Sequence, residues 1–402
     1  MRKGENSIKR DKYFDKIEPF IGTNIIKVFT GQRRVGKSYL MRQVMNTISE
    51  KSPKTKIIYI DKEKIEFDFI RNYQDLSDYI TKEKGKKNAL FIDEIQEIEE
   101  FERAIRSIYD DPNFDIFITG SNANLLSGEL ATFLSGRYHQ IEIHSLSYSE
   151  FLNFHQKENN DENFDQYLKI GGMPNLIHIN LDEEIVMDYL RNIYSTILLK
   201  DVMRRNNIRN VNFLENIVLY LADNVGTLVT AKKISDFLKS QKQSIAPHTV
   251  LDYLGFLEKT YFILNVKREE IHGKKIFELN EKFYFEDIGL RNAVIGFRPN
   301  DISKILENVV YNHLKIAGYQ VTVGVGGVNE IDFIAKKSGE IIYIQVCYLL
   351  EDQKTTDREF GNLLRIKDQY PKYVVSMDKI IGKNTYQGVM HKSIRDFVYQ
   401  LY

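Results

Sequence analysis

The run Gly31-Gln32-Arg33-Arg34-Val35-Gly36-Lys37-Ser38 is a complete G-x-x-x-x-G-K-S pattern. It follows the apolar run 25–30 (IIKVFT) and precedes an amphipathic stretch near 37–50, the strand–loop–helix setting in which this pattern does its chemistry. Glycines let backbone N–H groups wrap an anion with no Cβ in the way. The helix N-terminus then adds a favourable dipole. The spacing predicts a phosphate cradle in which Lys37 reaches the β/γ oxygens and the Ser38 hydroxyl ligates Mg²⁺. The expected ligand is ATP with Mg²⁺, contacted by Gly31, Arg33, Arg34, Val35, Gly36, Lys37, Ser38 and Tyr39.

The surrounding pattern agrees with that reading. Apolar runs at 25–30, 56–61 (KIIYID), 88–93 (NALFID), 114–119 (FDIFIT) and 138–143 (YHQIEI) alternate with helical stretches near 37–50, 68–84 and 99–110. Strands alternating with amphipathic helices predict a parallel sheet with helices on both faces. The chain has 402 residues, 43% of them hydrophobic, which is more than one core normally organises, so two or three domains are expected.

Ala89-Leu90-Phe91-Ile92-Asp93-Glu94 is an apolar strand ending in two carboxylates, the pattern of a Walker B element. Asp93 is expected to hold Mg²⁺ through water, and Glu94 to polarise the attacking water as general base. The next strand ends Thr119-Gly120-Ser121-Asn122. A polar side chain there would sense the γ-phosphate, with Asn122 the first choice and Ser121 beside it; an N-cap for a helix over 122–126 is the other reading. Arg137, in Ser135-Gly136-Arg137 before the fifth strand, is either an arginine finger acting on a neighbour's nucleotide or half of a structural ion pair.

Downstream of Ser147 the pattern turns helical, as in 183–203 and 211–223, which show 3.6-residue periodicity. Residues 228–285 read as three short helices followed by strand-like runs 261–267 and 275–279 around His272-Gly273, the order of a winged helix-turn-helix. In it Thr230 opens one helix, Ser244 to Pro247 form the turn, and His248 to Lys259 form the helix that would face a duplex. Residues 228–275 carry nine Lys+Arg against five Asp+Glu, while the whole chain balances 56 against 56. Lys232, Lys233, Lys239, Lys242, Lys274 and Lys275 are candidate contacts to double-stranded DNA phosphates. Asp252 and Glu258 on the same helix, with no arginine, argue against base reading. A protein-binding or purely structural role is the alternative.

From residue 303 a helix, strand-like runs 319–323, 330–335 and 341–348, a helix near 357–369 and the run 372–376 follow. Glu307, Asp332 and Gln345-Val346-Cys347 lie in the order of the PD-(D/E)xK nuclease fold, which this layout resembles. Metal-assisted cleavage needs carboxylates and a lysine, and Cys347 stands at the lysine position. A degenerate domain is therefore expected, with Lys336 or Lys337 as outside substitutes. The expected division is 1–146 P-loop domain, 147–226 helical lid, 227–300 winged helix-turn-helix and 301–402 nuclease-like α/β domain.

Taken together, GQRRVGKS, LFIDEIQ, TGSNANLL, LSGRYHQIEIHSLSYSEF and GGMPNL resemble prokaryotic AAA-type ATPases with a C-terminal domain of unknown function, relatives of the archaeal ATPase and STAND groups. The resemblance spans roughly residues 8–350. It implies nucleotide roles for Gly31, Gly36, Lys37, Ser38, Asp93 and Glu94. Gly171-Gly172-Met173-Pro174 is similar to the G-x-P element of STAND proteins, which implies that Pro174 adjoins the nucleotide; read by itself, GGMP is a turn. Either a DNA-associated motor that oligomerises or a signalling switch with a protein partner fits this class. The zero net charge argues against a histone-like binder. The single cysteine excludes an internal disulfide and fits a reducing compartment. The charged first 16 residues, and no apolar run of 18 residues, lead to the expectation of a cytoplasmic protein with no membrane contact.

Overall fold

The apolar runs of the N-terminal part are parallel strands of one sheet in the computed structural model, which describes residues 8–126, 136–206, 208, 210–243, 245–271, 276–326, 329–350, 353–378 and 384–401. The strands β1 (Ile26–Thr30), β2 (Lys56–Asp61), β3 (Asn88–Asp93), β4 (Phe114–Gly120) and β5 (Tyr138–Glu142) lie in the order β2-β3-β4-β1-β5. Every pairing is parallel. Helices α1 (Asp11–Ile17), α2 (Lys37–Lys51), α3 (Tyr73–Glu83) and α4 (Phe101–Tyr109) cover the sheet.

The strand period of two divides the core between the faces. Ile58, Ile60, Leu90, Ile92, Ile116 and Ile118 pack with Leu76 and Ile80 of α3 and Ile105 and Ile108 of α4. The alternate residues Phe29, Ala89, Phe91 and Phe117 pack with Ile17 of α1 and Leu40, Met41 and Val44 of α2. Phe91 and Phe117 stack at 4.5 Å between centroids. All residues of β1 and β3 are buried, as strands covered on both faces must be. This is the α/β fold of a P-loop NTPase. The stretch expected to be helical from 68 begins only at Tyr73, because Asn72 and Asp75 form a reciprocal capping box there.

The chain divides into two compact units, Met1–His144 with Lys259–Tyr261, and Ser145–Glu258 with Phe262–Tyr402. The second opens with α5 (Tyr148–His155), α6 (Asp161–Ile170), α7 (Glu183–Thr196), a π-helix (Ile197–Arg204) and α8 (Val211–Asp223). After β6 (Leu228–Val229) come α9 (Ala231–Ser240), α10 (Pro247–Lys259) and the antiparallel pair β7 (Ile263–Glu270) and β8 (Ile276–Phe285). Thr230 caps α9 through the Lys233 N–H at 3.1 Å. Ser244 and the turn His272-Gly273 with Lys274 and Lys275 lie outside the described residues. Then follow α11 (Ile288–Ile295), α12 (Ile302–Ile316), β9 (Gln320–Gly326), β10 (Asn329–Lys337), β11 (Glu340–Val346), α13 (Gln353–Leu364), β12 (Lys372–Ser376), β13 (Thr385–Tyr386), β14 (Val389–Ser393) and α14 (Ile394–Gln400).

These strands form a mixed sheet in the order β13-β14-β12-β11-β10-β9-β7-β8-β6. The pairing of β7 with β9, parallel over Arg268–Glu270 and Val323–Val325, carries the sheet across residue 300. The divisions expected from the helix and strand pattern at 226/227 and 300/301 both lie within the second unit. Among the described residues no helix is long and apolar enough to cross a membrane.

Candidate functional site

In a parallel sheet the carboxyl ends of the strands share one edge, and ligands bind there where the strand order reverses. That edge gathers the Gly31–Ser38 loop after β1, Asp93 and Glu94 after β3, and Thr119 to Ser121 at the end of β4. Gly31 has φ +139°, and a Cβ on it would lie 2.1 Å from the Ile143 carbonyl oxygen. No other residue fits. Gly36, at φ +99°, precedes the first turn of α2 with no side-chain cap, which leaves first-turn N–H groups for an anion.

Lys37 is buried, and its ammonium donates to the carbonyls of Gly31 at 3.0 Å and Gln32 at 2.9 Å. It lies 3.9 Å from Glu94 Oε1. Arg33 pairs with Glu63, Arg34 is exposed at φ +69°, Val35 is buried and Tyr39 is exposed. The contact set expected along the loop is therefore split, with Val35 turned to the core and Arg34 and Tyr39 to solvent.

Asp93 is held by hydroxyls. Thr119 Oγ1 donates to its Oδ1, Tyr59 donates to its Oδ2 at 3.4 Å, and Ser38 also hydrogen-bonds to it. Burial raises the Asp93 carboxyl above its ordinary range, against the lowering effect of Ser38 and Thr119. Glu94 behaves oppositely. Burial would raise it, yet the charges of Lys37 and Arg33 and the hydrogen bonds of Ser121 and Gln96 bring it below the ordinary range. A buried carboxylate kept ionised beside a fixed ammonium is suited to accept a hydrogen bond from water and orient it. Ser38 and Asp93 form the hard-oxygen donor set that suits Mg²⁺, and the uncapped helix start with Lys37 suits a polyphosphate, so the residues present fit Mg·ATP.

Ser121 Oγ donates to Glu94 Oε2 at 2.9 Å. Asn122, next in the chain, is half-buried and its carbonyl accepts the Leu125 N–H at 3.0 Å, in a short 3₁₀ turn (Ala123–Leu126) where a helix was expected. Sequence reasoning missed Thr119, whose hydroxyl also accepts the Glu94 N–H at 2.9 Å, and Asp61, which sits in register with Asp93 on β2. Only the sheet reveals Thr119: the β3–β4 register pairs Ile92 with Ile118, so the following residues Asp93 and Thr119 are neighbours.

Arg137 lies at the other end of the sheet. Its carbonyl accepts the N–H of Ile26, where β1 begins, and its guanidinium sits 5.0 Å from the Tyr109 ring centroid. Five residues of strand, about 16 Å, separate it from the start of its own P-loop. Ser135 lies outside the described residues.

In the second unit the Gly171–Pro174 element is a close-packed turn. A Cβ on Gly172 would stand 2.2 Å from the Leu146 carbonyl oxygen, and one on Gly171 2.4 Å from Asp287 Oδ1. The Gly172 N–H donates to Asp287 at 2.8 Å, and Pro174 opens a short 3₁₀ helix (Pro174–His178). Glu307 is on α12, Asp332 on β10 and Gln345 on β11, while Cys347 is buried and its thiol is pushed far up, first by burial and then by Glu359. Lys336 pairs with Glu269 and Lys337 with the Ala317 carbonyl; neither is bonded to Glu307 or Asp332.

Residues 23–152 match an AAA domain and residues 161–301 match a domain of unknown function. The chain is 37% identical over 377 residues to an uncharacterized protein of Haemophilus influenzae, covering 92% of this chain and 93% of that protein. It is 32% identical over 349 residues to an uncharacterized protein of Methanocaldococcus jannaschii, covering 82% and 76%. Among solved structures, a Walker-type ATPase of Pyrococcus abyssi is 16% identical at a TM-score of 0.49, covering 73% of this chain and 97% of that one. The chain therefore belongs to one family with the Haemophilus and Methanocaldococcus proteins, and its first unit carries the P-loop domain of an AAA-type ATPase.

Proposed function

We propose that the protein binds Mg·ATP at the edge formed by β1, β3 and β4, hydrolyses it slowly, and uses the nucleotide state to set the arrangement of its second unit. The observation that carries this reading is the hydrogen-bonded set Lys37, Ser38, Asp93, Glu94, Thr119 and Ser121. Lys37 exchanges its two loop carbonyls for phosphate oxygens, Ser38 and Asp93 hold the metal, and Glu94, kept ionised, takes the proton of the attacking water. Arg137 serves a neighbouring chain's nucleotide, since its own P-loop starts a strand length away.

We read the output as DNA-associated, through α9, α10 and the β7–β8 pair acting as a winged helix. Lys232, Lys233, Lys239 and Lys242 are exposed on or beside α9. By contrast, α10 presents His248, Leu251 and Asp252 to solvent, so contact would be with phosphates and not with base edges. A second reading, a signalling switch with a protein partner, rests on the similarity of Gly171–Pro174 to the STAND element, with Pro174 as the residue that would answer to nucleotide. ATP turnover with and without duplex DNA, followed across salt concentration together with the mass in solution, tests both. Stimulation by DNA that fades steeply with salt, in an oligomer, supports the first. A monomer indifferent to DNA that retains ADP supports the second, and absence of any nucleotide binding overturns both.

A further inference from the structure

Two segments of the second unit bring three carboxyl groups around an ammonium carried by a third. Lys282 on β8 places its Nζ 2.8 Å from Glu307 Oε1 of α12, 2.8 Å from Glu330 Oε1 and 3.9 Å from Asp332 Oδ1, both of β10. The lysine side chain is only 4% exposed, and Tyr284, two residues along β8, donates its hydroxyl to the same Glu307 oxygen. The other Asp332 oxygen accepts the Val346 N–H at 2.8 Å. Opposite Asp332, on the neighbouring strand, stands Gln345. Gln345 is 8% exposed, and among the described residues its Oε1 has no hydrogen-bond partner. The antiparallel register Phe333–Ile344 makes Gln345 the residue opposite Asp332, which puts the two side chains on one face of the sheet.

Three carboxyl groups and an amide oxygen are the donor set of a hard divalent cation, whereas a single ammonium has three donors and one charge. As the chain is folded, no group of three carboxylate, imidazole or thiol side chains among the described residues is placed to take a metal ion. We propose that this cluster is a divalent-cation site closed by the chain's own lysine, the Lys282 ammonium standing where the ion would stand. The arrangement accounts for the partnerless Gln345 oxygen, which an ammonium already shared among carboxylates does not reach. It also denies metal-assisted phosphodiester cleavage to this unit, because the ion that would activate water has no room.

The test is Mn²⁺ uptake by the full chain without nucleotide, measured by equilibrium dialysis and by thermal shift. Lys282→Met should take up about one Mn²⁺ per chain more than the wild type and melt higher in its presence. Lys282→Met/Asp332→Asn should lose that gain. If Lys282→Met folds with an unchanged circular dichroism spectrum yet binds no additional Mn²⁺, the proposal is overturned. If it folds only when Mn²⁺ is supplied, the ion has replaced the ammonium and the proposal stands. Failure to fold with or without the metal overturns it. The wild type gives an independent arm: Mn²⁺ uptake by wild type that disappears in Asp332→Asn would mean the site is open, and that also overturns it.

Discussion

Replacing Thr119 by valine keeps the shape of the β4 side chain and removes only the hydroxyl. That hydroxyl makes two buried bonds, donating to Asp93 Oδ1 and accepting the Glu94 N–H at 2.9 Å. Orphaning a buried N–H costs about 1–3 kcal/mol, and a bond to a charged group is worth about 1.5–3 kcal/mol. Ser38 and Tyr59 remain on Asp93, which limits the second loss. Thr119→Val is therefore expected to destabilise the first unit by about 2–4 kcal/mol, read as a lower denaturant midpoint. Turnover should fall as well, because Glu94 has φ +54° and its N–H bond to Thr119 holds the carboxylate where Lys37 and Ser121 meet it. Thr119→Ser restores both bonds and should lose only the methyl contribution, about 1 kcal/mol. A valine variant as stable and as active as the wild type would refute this account, as would a serine variant as impaired as the valine one.

Lys37→Ala should weaken nucleotide binding by about 10–100-fold, the worth of a charged hydrogen bond, and unchanged affinity by calorimetry would remove Lys37 from the site. Glu94→Gln should retain binding while turnover drops by about 10²–10⁴; full residual hydrolysis would place the base elsewhere. Gly172→Ala pushes a Cβ to 2.2 Å from the Leu146 carbonyl oxygen and disturbs the bond from the Leu146 N–H to the Gly172 carbonyl at 2.7 Å, so the second unit should lose about 3 kcal/mol, seen in its melting temperature. His313 is buried, accepts the Tyr148 N–H at 2.9 Å and bonds the Val309 carbonyl; burial depresses its pKa to about 4. Its neutral form therefore contributes stability that is complete above the unfolded value near 6.5 and is lost as the pH falls toward 4, by about 3 kcal/mol in total. A ring resonance for His313 that titrates near pH 6.5 in the folded protein would contradict this.

Much of the first unit was readable because its strands are short, apolar and punctuated. Ile26–Thr30, Lys56–Asp61 and Asn88–Asp93 lie within a residue of the runs that predicted them. The carboxylates and the P-loop were legible because their chemistry fixes their spacing. Thr119 was not, because its role depends on which strand lies beside β3, a fact of sheet order that local pattern does not contain. Lys282 was hidden for the same reason: it is 25 residues from Glu307 and 50 from Asp332 in the chain, and only the sheet brings them together. The C-terminal strand Val389–Ser393 escaped because its residues (VMHKS) lack the apolar run that marked the others.

The joining of β7 to β9 bears on where this chain can be cut. A gene ending after residue 300 would encode β7 paired with β8 on one side and bare on the other, a sticky edge of the kind that recruits a second molecule. A gene beginning there would leave β9 equally unprotected. A chain cut after residue 300 is therefore expected to associate through that bare edge, which β9 covers in the full chain.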